Sequence, residues 1–222
     1  MTAMKFLQGL TGCFALLGVG TLLSARAAHR APQAQTPSTS ATIVLTLDPA
    51  KSALHFTVDS TLHTVHGTFA LKRGSLRLDS ATGKASGEIV ADATSGNSGN
   101  GSRDQKMHKE VLDSGRYTEI VFRPVQVDGN IAQRGISTLQ VHGIFALHGS
   151  EHELDVPVRA ELQVDSWKGA ASFSVPYVQW GLKNPSNFLL KVNRSVEIDL
   201  EMAGSLQAAQ NATAERQSLL GP

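Results

Sequence analysis

The chain has one cysteine in 222 residues, Cys13, and it lies in the first apolar stretch. A domain built from the remainder has no thiol nucleophile and no disulfide, so its core alone must hold it. Charge of one sign is also missing, since the formal net charge is +1. Without a basic field, nucleic acid is not an expected partner. The sequence has no HExxH zinc helix, and no glycine-rich stretch ends in the Lys-Ser/Thr of a phosphate-binding loop. No nucleophile elbow is offered, because that needs a strand running into a helix. These absences remove the common routes to metal, nucleotide and acyl-transfer chemistry. No cofactor, no metal site and no catalytic residue is therefore expected.

One long apolar run is present, at the start. Lys5 precedes it, Phe6 to Leu23 is mostly apolar, and Ala25-Arg26-Ala27 ends it with small residues. A positive end, an apolar core and an Ala-x-Ala site form the layout of a secretory signal peptide. The rival is an uncleaved anchor, but the run is at the lower limit for spanning a bilayer. Leu10-Thr11-Gly12-Cys13 imitates a lipoprotein box. The apolar run continues well past Cys13, whereas such a box should end it. The expected division is a signal peptide over 1–27, a Pro- and Ser/Thr-rich linker over 28–42, one domain over 43–205 and a flexible tail over 206–222. A periplasmic or secreted location follows from a cleaved signal.

The domain alternates with period two. Leu54, Phe56 and Val58 form one row; Phe69 and Leu71, then Leu76 and Leu78, form the next. Ile120 and Phe122, Leu139 to Leu147, Leu154 to Leu162, Ala171 to Val175 and Val196 to Met202 continue the series. Such alternation predicts strands with one apolar face. Turn signals fall at Lys72-Arg73-Gly74, Ala81-Thr82-Gly83, Asp128-Gly129-Asn130 and His148-Gly149. About eight strands joined by short turns make an all-β antiparallel meander, which closes into a barrel or folds as a sandwich. An eight-stranded barrel has room for one small ligand. Pro157 implies an edge or a bulge, since proline cannot donate to a ladder.

Two connections are too long for hairpins. One runs through Ala91–Ser102 into Arg103-Asp104-Gln105-Lys106-Met107-His108 and contains a short helical turn; the other spans Val175–Pro185 and carries Trp180. Long loops in small β domains are often lids or mouths. Arg103 and Asp104 read either as a loop-ordering ion pair or as a contact for a polar ligand head. His108 near Asp104 or Asp113 is the one acid–base grouping to weigh. His63-x-x-His66 has a metal-like spacing, but on a strand those side chains point to opposite faces.

Several segments together carry a family likeness: Leu47-Asp48-Pro49-Ala50-Lys51-Ser52 before Leu54-His55-Phe56-Thr57-Val58; His66-Gly67-Thr68-Phe69; Arg103-Asp104, Leu112-Asp113 and Tyr117-Thr118-Glu119-Ile120-Val121-Phe122; and Val141-His142-Gly143-Ile144-Phe145-Ala146-Leu147-His148-Gly149. In this order the domain resembles the YceI-like family of exported bacterial lipid-binding proteins. The resemblance implies an extended lipocalin-like antiparallel eight-stranded barrel whose tunnel holds a polyisoprenoid or similar long apolar chain, with no catalytic residues. Thr118 stands where many members have proline after the tyrosine, which changes loop stiffness and not fold.

The expectation is an exported, non-enzymatic binding protein for a polyisoprenoid, an isoprenoid quinone or a fatty-acid-like chain. Candidate tunnel-lining and mouth residues are Phe56, Phe69, Phe122, Phe145, Phe173, Trp180, Arg103, Asp104 and His108. Transient membrane contact and a homodimer accompany that expectation. Two alternatives stand beside it: an envelope hydrolase or isomerase using His108 at the mouth, and a structural envelope module without ligand. A cavity, or its absence, separates the carrier from the structural module.

Overall fold

Alternating sequence rows become one continuous sheet in the computed structural model, which describes residues 41–210 except Gln133. Ten strands form: β1 Ala41–Leu47, β2 Ala53–Asp59, β3 Thr64–Phe69, β4 Leu71–Asp79, β5 Ala85–Asp92, β6 Glu119–Asp128, β7 Gly135–Leu147, β8 Ser150–Leu162, β9 Ser166–Val175 and β10 Val196–Gln210. All pairings are antiparallel, in the order β1-β4-β5-β6-β7-β8-β9-β10, and β10 pairs back with β1 to close the barrel. β2 and β3 continue the sheet from the other half of β10. The expected signal peptide lies outside the described residues, as do most of the linker and the end of the tail. Strand pairing reaches Ala41 and Gln210, past the expected limits of 43–205.

Ten strands and an eight-stranded barrel are the same object. β1 and β2 are halves of one strand, broken where Asp48 caps Ala50 N at 3.1 Å and Pro49 starts a single 3-10 turn. Across the break, Asp48 N donates to Ala203 O at 2.8 Å and Ala203 N donates to Ser52 Oγ at 3.1 Å, so contact with β10 persists. β3 and β4 are likewise interrupted only at Ala70, whose N–H donates to Ser95 Oγ at 2.8 Å. The all-β, closed antiparallel barrel expected from the sequence is the observed fold, and its helical turn is α1, Gly101–Lys106. A wider turn, Met107–Val111, extends α1 and is closed by Leu112 N donating to Met107 O at 2.9 Å.

The barrel interior divides into two ends. At the end holding the β4–β5, β6–β7 and β8–β9 turns, Ile43, Leu47, Leu78, Val127, Leu139, Leu162, Trp167 and Met202 pack into a filled core. Trp167 is buried, and its Nε1–H donates to Thr46 O at 3.3 Å, which satisfies the one polar atom it brings inside. The opposite end holds the β2–β3 turn, the β5–β6 connection with α1, and the β9–β10 loop. β7 and β8 join there by a two-residue turn, His148-Gly149. Both have positive φ, 53° and 78°, as a tight hairpin requires.

Pro157 parts the strands where the sequence suggested an edge. β8 pairs with β9 only from Val158 to Leu162, whereas β8 pairs with β7 along its whole length. With no N–H at 157 the β8–β9 ladder stops. Leu182 and Tyr177 of the β9–β10 loop are buried at this end, and Trp180 stacks on His152 of β8, ring centroids 4.3 Å apart.

Candidate functional site

Strand parity sends one side of each strand inward, and at the mouth end those side chains do not meet. They leave a cavity of about 450 Å³, inside the range of small-ligand sites. Its walls are Phe56 and Val58 of β2, Val65 and Phe69 of β3, Ile120 of β6, Phe145 and Leu147 of β7, Val175 of β9, and Val196 and Ile198 of β10. Its lid comes from the two long connections: Met107, Val111 and Leu112 after α1, and Tyr177, Leu182, Pro185, Leu190 and Val192 between β9 and β10. Apart from Tyr177, its polar lining residues come from two segments, Ser60 and His63 of the β2–β3 turn and Ser98, Asn100, Ser102, Arg103 and Lys106 of the β5–β6 connection.

The two lid segments are tied together. Lys106 Nζ donates to Pro185 O at 3.3 Å, and Lys183 pairs with Glu110 at 2.6 Å. The lysine beside it holds the Glu110 carboxyl below its ordinary pKa. Tyr177 is buried with its hydroxyl donating to Asn193 O at 2.7 Å, and burial raises its pKa. The β9–β10 loop is also joined to the β2–β3 turn: Thr61 N donates to Lys191 O at 2.9 Å and Asn193 N donates to Asp59 O at 2.8 Å.

Of the residues named from sequence, Phe56, Phe69, Phe145 and Arg103 line the cavity. Phe122 and Phe173 do not; both pack, partly buried, against the core cluster around Phe145. Trp180 is also outside the lining; its ring packs against Phe145, centroids 5.6 Å apart. Asp104 is turned from the cavity. It accepts from Ser98 N at 2.9 Å and from Ser98 Oγ. Burial works against its ionisation, but these bonds and the nearby Arg103 and His108 outweigh that and leave its pKa lowered. Arg103 also binds Ser98, through Nε to Oγ and through a terminal nitrogen to the carbonyl, both at 2.7 Å. The expected Arg103–Asp104 ion pair is thus replaced by a shared grip on Ser98, because both side chains reach the serine.

His108 is a staple. Its Nε2 donates to Gly96 O at 2.9 Å, and its Nδ1 is hydrogen-bonded with Ser114 Oγ at 2.9 Å. Both ring nitrogens are engaged away from the cavity. His63 faces the rim while His66 contacts Thr57 Oγ1 at 3.0 Å, so the pair does not converge. His142 lies outside between Asp155 at 2.5 Å and Asp128 at 3.0 Å, whose carboxylates raise its pKa. Among the described residues no group of three or more His, Cys, Asp or Glu is placed to hold a metal ion.

Sequence reasoning missed the lid residues Met107, Val111, Leu112, Leu182, Leu190 and Val192. Met107 and Val111 stand four apart, a spacing that puts both on one face of a helical turn, and that signal was legible. It also missed His152. This residue is the register partner of Phe145, so it points inward, and its Nε2 is buried without a hydrogen bond.

Residues 45–203 match the family model for the YceI-like domain. Two solved structures share the fold. BcnA of Burkholderia cenocepacia aligns with TM-score 0.60 at 15% identity, covering 71% of this chain and 99% of that one. A polyisoprenoid binding domain from Saccharophagus degradans, implicated in plant cell wall breakdown, aligns with TM-score 0.56 at 15% identity, covering 73% and 98%. A search of curated proteins found no match.

Proposed function

The chain belongs to the YceI-like domain family, and from that premise we propose that it is a non-enzymatic binding protein holding one long apolar chain, a polyisoprenoid, an isoprenoid quinone or a fatty-acid-like molecule, in its barrel mouth. The observation that carries this reading is the apolar cavity of about 450 Å³, with few polar residues in its lining. A structural module would have no use for it. Each CH₂ buried contributes about 0.8 kcal/mol, so affinity grows with buried length and is nearly blind to the head group. The polyisoprenoid-binding domain with the same fold supports the ligand class. The enzyme alternative loses its proposed base, since His108 is engaged by Gly96 and Ser114.

The chain works outside the cytoplasm on this reading, exported by a leader cut near Ala27 and released into the periplasm or medium. The layout of the first residues supports that.

The test is a titration of delipidated protein with a polyprenol, an isoprenoid quinone and a fatty amide, followed by the emission of Trp180, which touches the cavity wall at Phe145. Saturable change at one ligand per chain is expected for at least one of the three. No change with any of them, with melting temperature also unmoved, overturns the carrier.

A further inference from the structure

Most apolar side chains of the described residues are inside; three of the exposed ones are gathered in one place. Phe188 is 94% exposed, Leu189 79% and Leu62 71%, the three highest among the exposed large apolar residues. Phe188 and Leu189 belong to the β9–β10 loop, and Leu62 belongs to the β2–β3 turn. Those two segments are hydrogen-bonded to each other through Thr61 and Lys191. Their neighbours Leu190, Val192, Ser60 and His63 line the cavity. The exposed tips are therefore continuous with the cavity lid and stand at its mouth.

Charge around the tips is mostly positive. The mouth segments carry Arg103, Lys106, Lys109, Arg116, Lys183, Lys191 and Arg194 against Asp104, Glu110 and Asp113, in a chain whose formal net charge is only +1. Glu110 is neutralised by Lys183, and Asp104 is turned onto Ser98. Lys191 and Arg194 form no ion pair among the described residues. Apolar side chains projecting from a cationic rim match the interface of an anionic bilayer: tips enter the acyl boundary and cations meet phosphate head groups.

We propose that the cavity mouth docks on an anionic phospholipid surface through Phe188, Leu189 and Leu62, with Lys191 and Arg194 held against the head groups. This rests on the carrier reading for its purpose: docking sets the open rim against the membrane, so an apolar chain passes between bilayer and cavity without crossing water. The docking itself needs no bound ligand.

The experiment uses the full chain as cells produce it, with Phe188→Trp as a local reporter and the two native tryptophans as background. Vesicles of phosphatidylcholine with phosphatidylglycerol, free of polyprenol, are added. Emission from position 188 is expected to shift to the blue and to be quenched by brominated acyl chains. Replacing Lys191 and Arg194 by glutamate in the reporter is expected to remove the shift, as is raising salt to 1 M, where the Debye length falls to about 3 Å. In the chain without the reporter, the double substitution Phe188→Ser, Leu189→Ser is expected to slow ligand transfer from vesicles at least about tenfold, given what burying two such side chains contributes. Its uptake of polyprenol from detergent-free solution should stay intact. An unshifted, unquenched reporter on anionic vesicles overturns docking, as does an equal shift on pure phosphatidylcholine or a shift produced only by added envelope protein. Loss of solution uptake in the parent chain would instead count against the carrier reading, and the reporter result stands apart from it.

Discussion

Gly67 and Phe56 give the sharpest test of how the cavity wall is built. They are register partners on β3 and β2, and both face inward. A Cβ added at Gly67 would lie 2.3 Å from Phe56 Cζ, 2.4 Å from Cε1 and 2.6 Å from Asn97 O. No real contact is that short, so Gly67→Ala must displace the ring or open the bridge between Thr68 and Asn97. Phe56 is 4% exposed and packs on Phe69 at 5.3 Å between centroids, so its ring cannot swing out freely. Overpacking of this kind costs about 1–3 kcal/mol, or roughly 2–12 °C in melting temperature for a domain of this size. Phe56→Leu removes the two offending atoms and costs about 1–1.5 kcal/mol alone. The clash with Asn97 O remains, so the double variant should still melt below Phe56→Leu, but by less than Gly67→Ala falls below the parent, with a coupling of at least about 0.5 kcal/mol. Urea melts of the parent, both single variants and the double variant measure this directly. Additivity within about 0.5 kcal/mol would refute the steric reasoning, as would a Gly67→Ala protein as stable as the parent.

Further outcomes follow from other parts of the barrel. Val65→Trp, on a half-buried wall position of the cavity, should stay folded and abolish polyprenol uptake, checked by melting and by titration on one preparation. Glu119 is pulled down to a pKa of about 2, first by the hydrogen bond from Arg73 and then by Lys72. Its folded value lies below the unfolded one, so its contribution is present above about pH 4.5 and is lost as pH falls through about 2; acid melts of Glu119→Gln should be flatter across that window. His142 runs the other way. Asp155 and Asp128 raise its folded value, so its contribution is full below the ordinary histidine range and fades as pH climbs through the raised value. His142→Gln should remove that fade in melts between pH 5 and 9. N-terminal sequencing of protein from the envelope fraction should begin near Ala28, and the melting temperature of that protein should be the same with and without dithiothreitol; lipid on Cys13 or an intact Met1 would overturn the leader assignment.

The strands were legible because they alternate, while closure into a barrel and not a sandwich came from the family resemblance; the gaps in legibility also trace to alternation. β5 escaped the pattern because Val90 and Ala91, adjacent and on opposite faces, are both buried, at 0% and 4% exposure. Alternation cannot mark a strand that is buried on both sides. β1 was not read as a strand, so the break that Asp48-Pro49 makes did not show, and only the closed barrel reveals that β10 spans both halves. Inward phenylalanines were readable from parity. Which of them meet the cavity was not, since Phe145 and Phe122 are opposed across β6 and β7 and only one reaches the space. The lid was the hardest part. Leu182, Leu190 and Val192 sit in a loop without periodicity, and a loop residue's direction is set by tertiary contacts such as Tyr177 to Asn193.

Native mass spectrometry of the chain, purified from its producing cells without detergent, tests the central claim most directly. One added mass per chain is expected, that of a single long apolar molecule, released by organic extraction and restored by incubation with a polyprenol. The Val65→Trp protein should carry none. A parent protein at its bare mass that takes up no polyprenol, quinone or fatty amide would contradict the account.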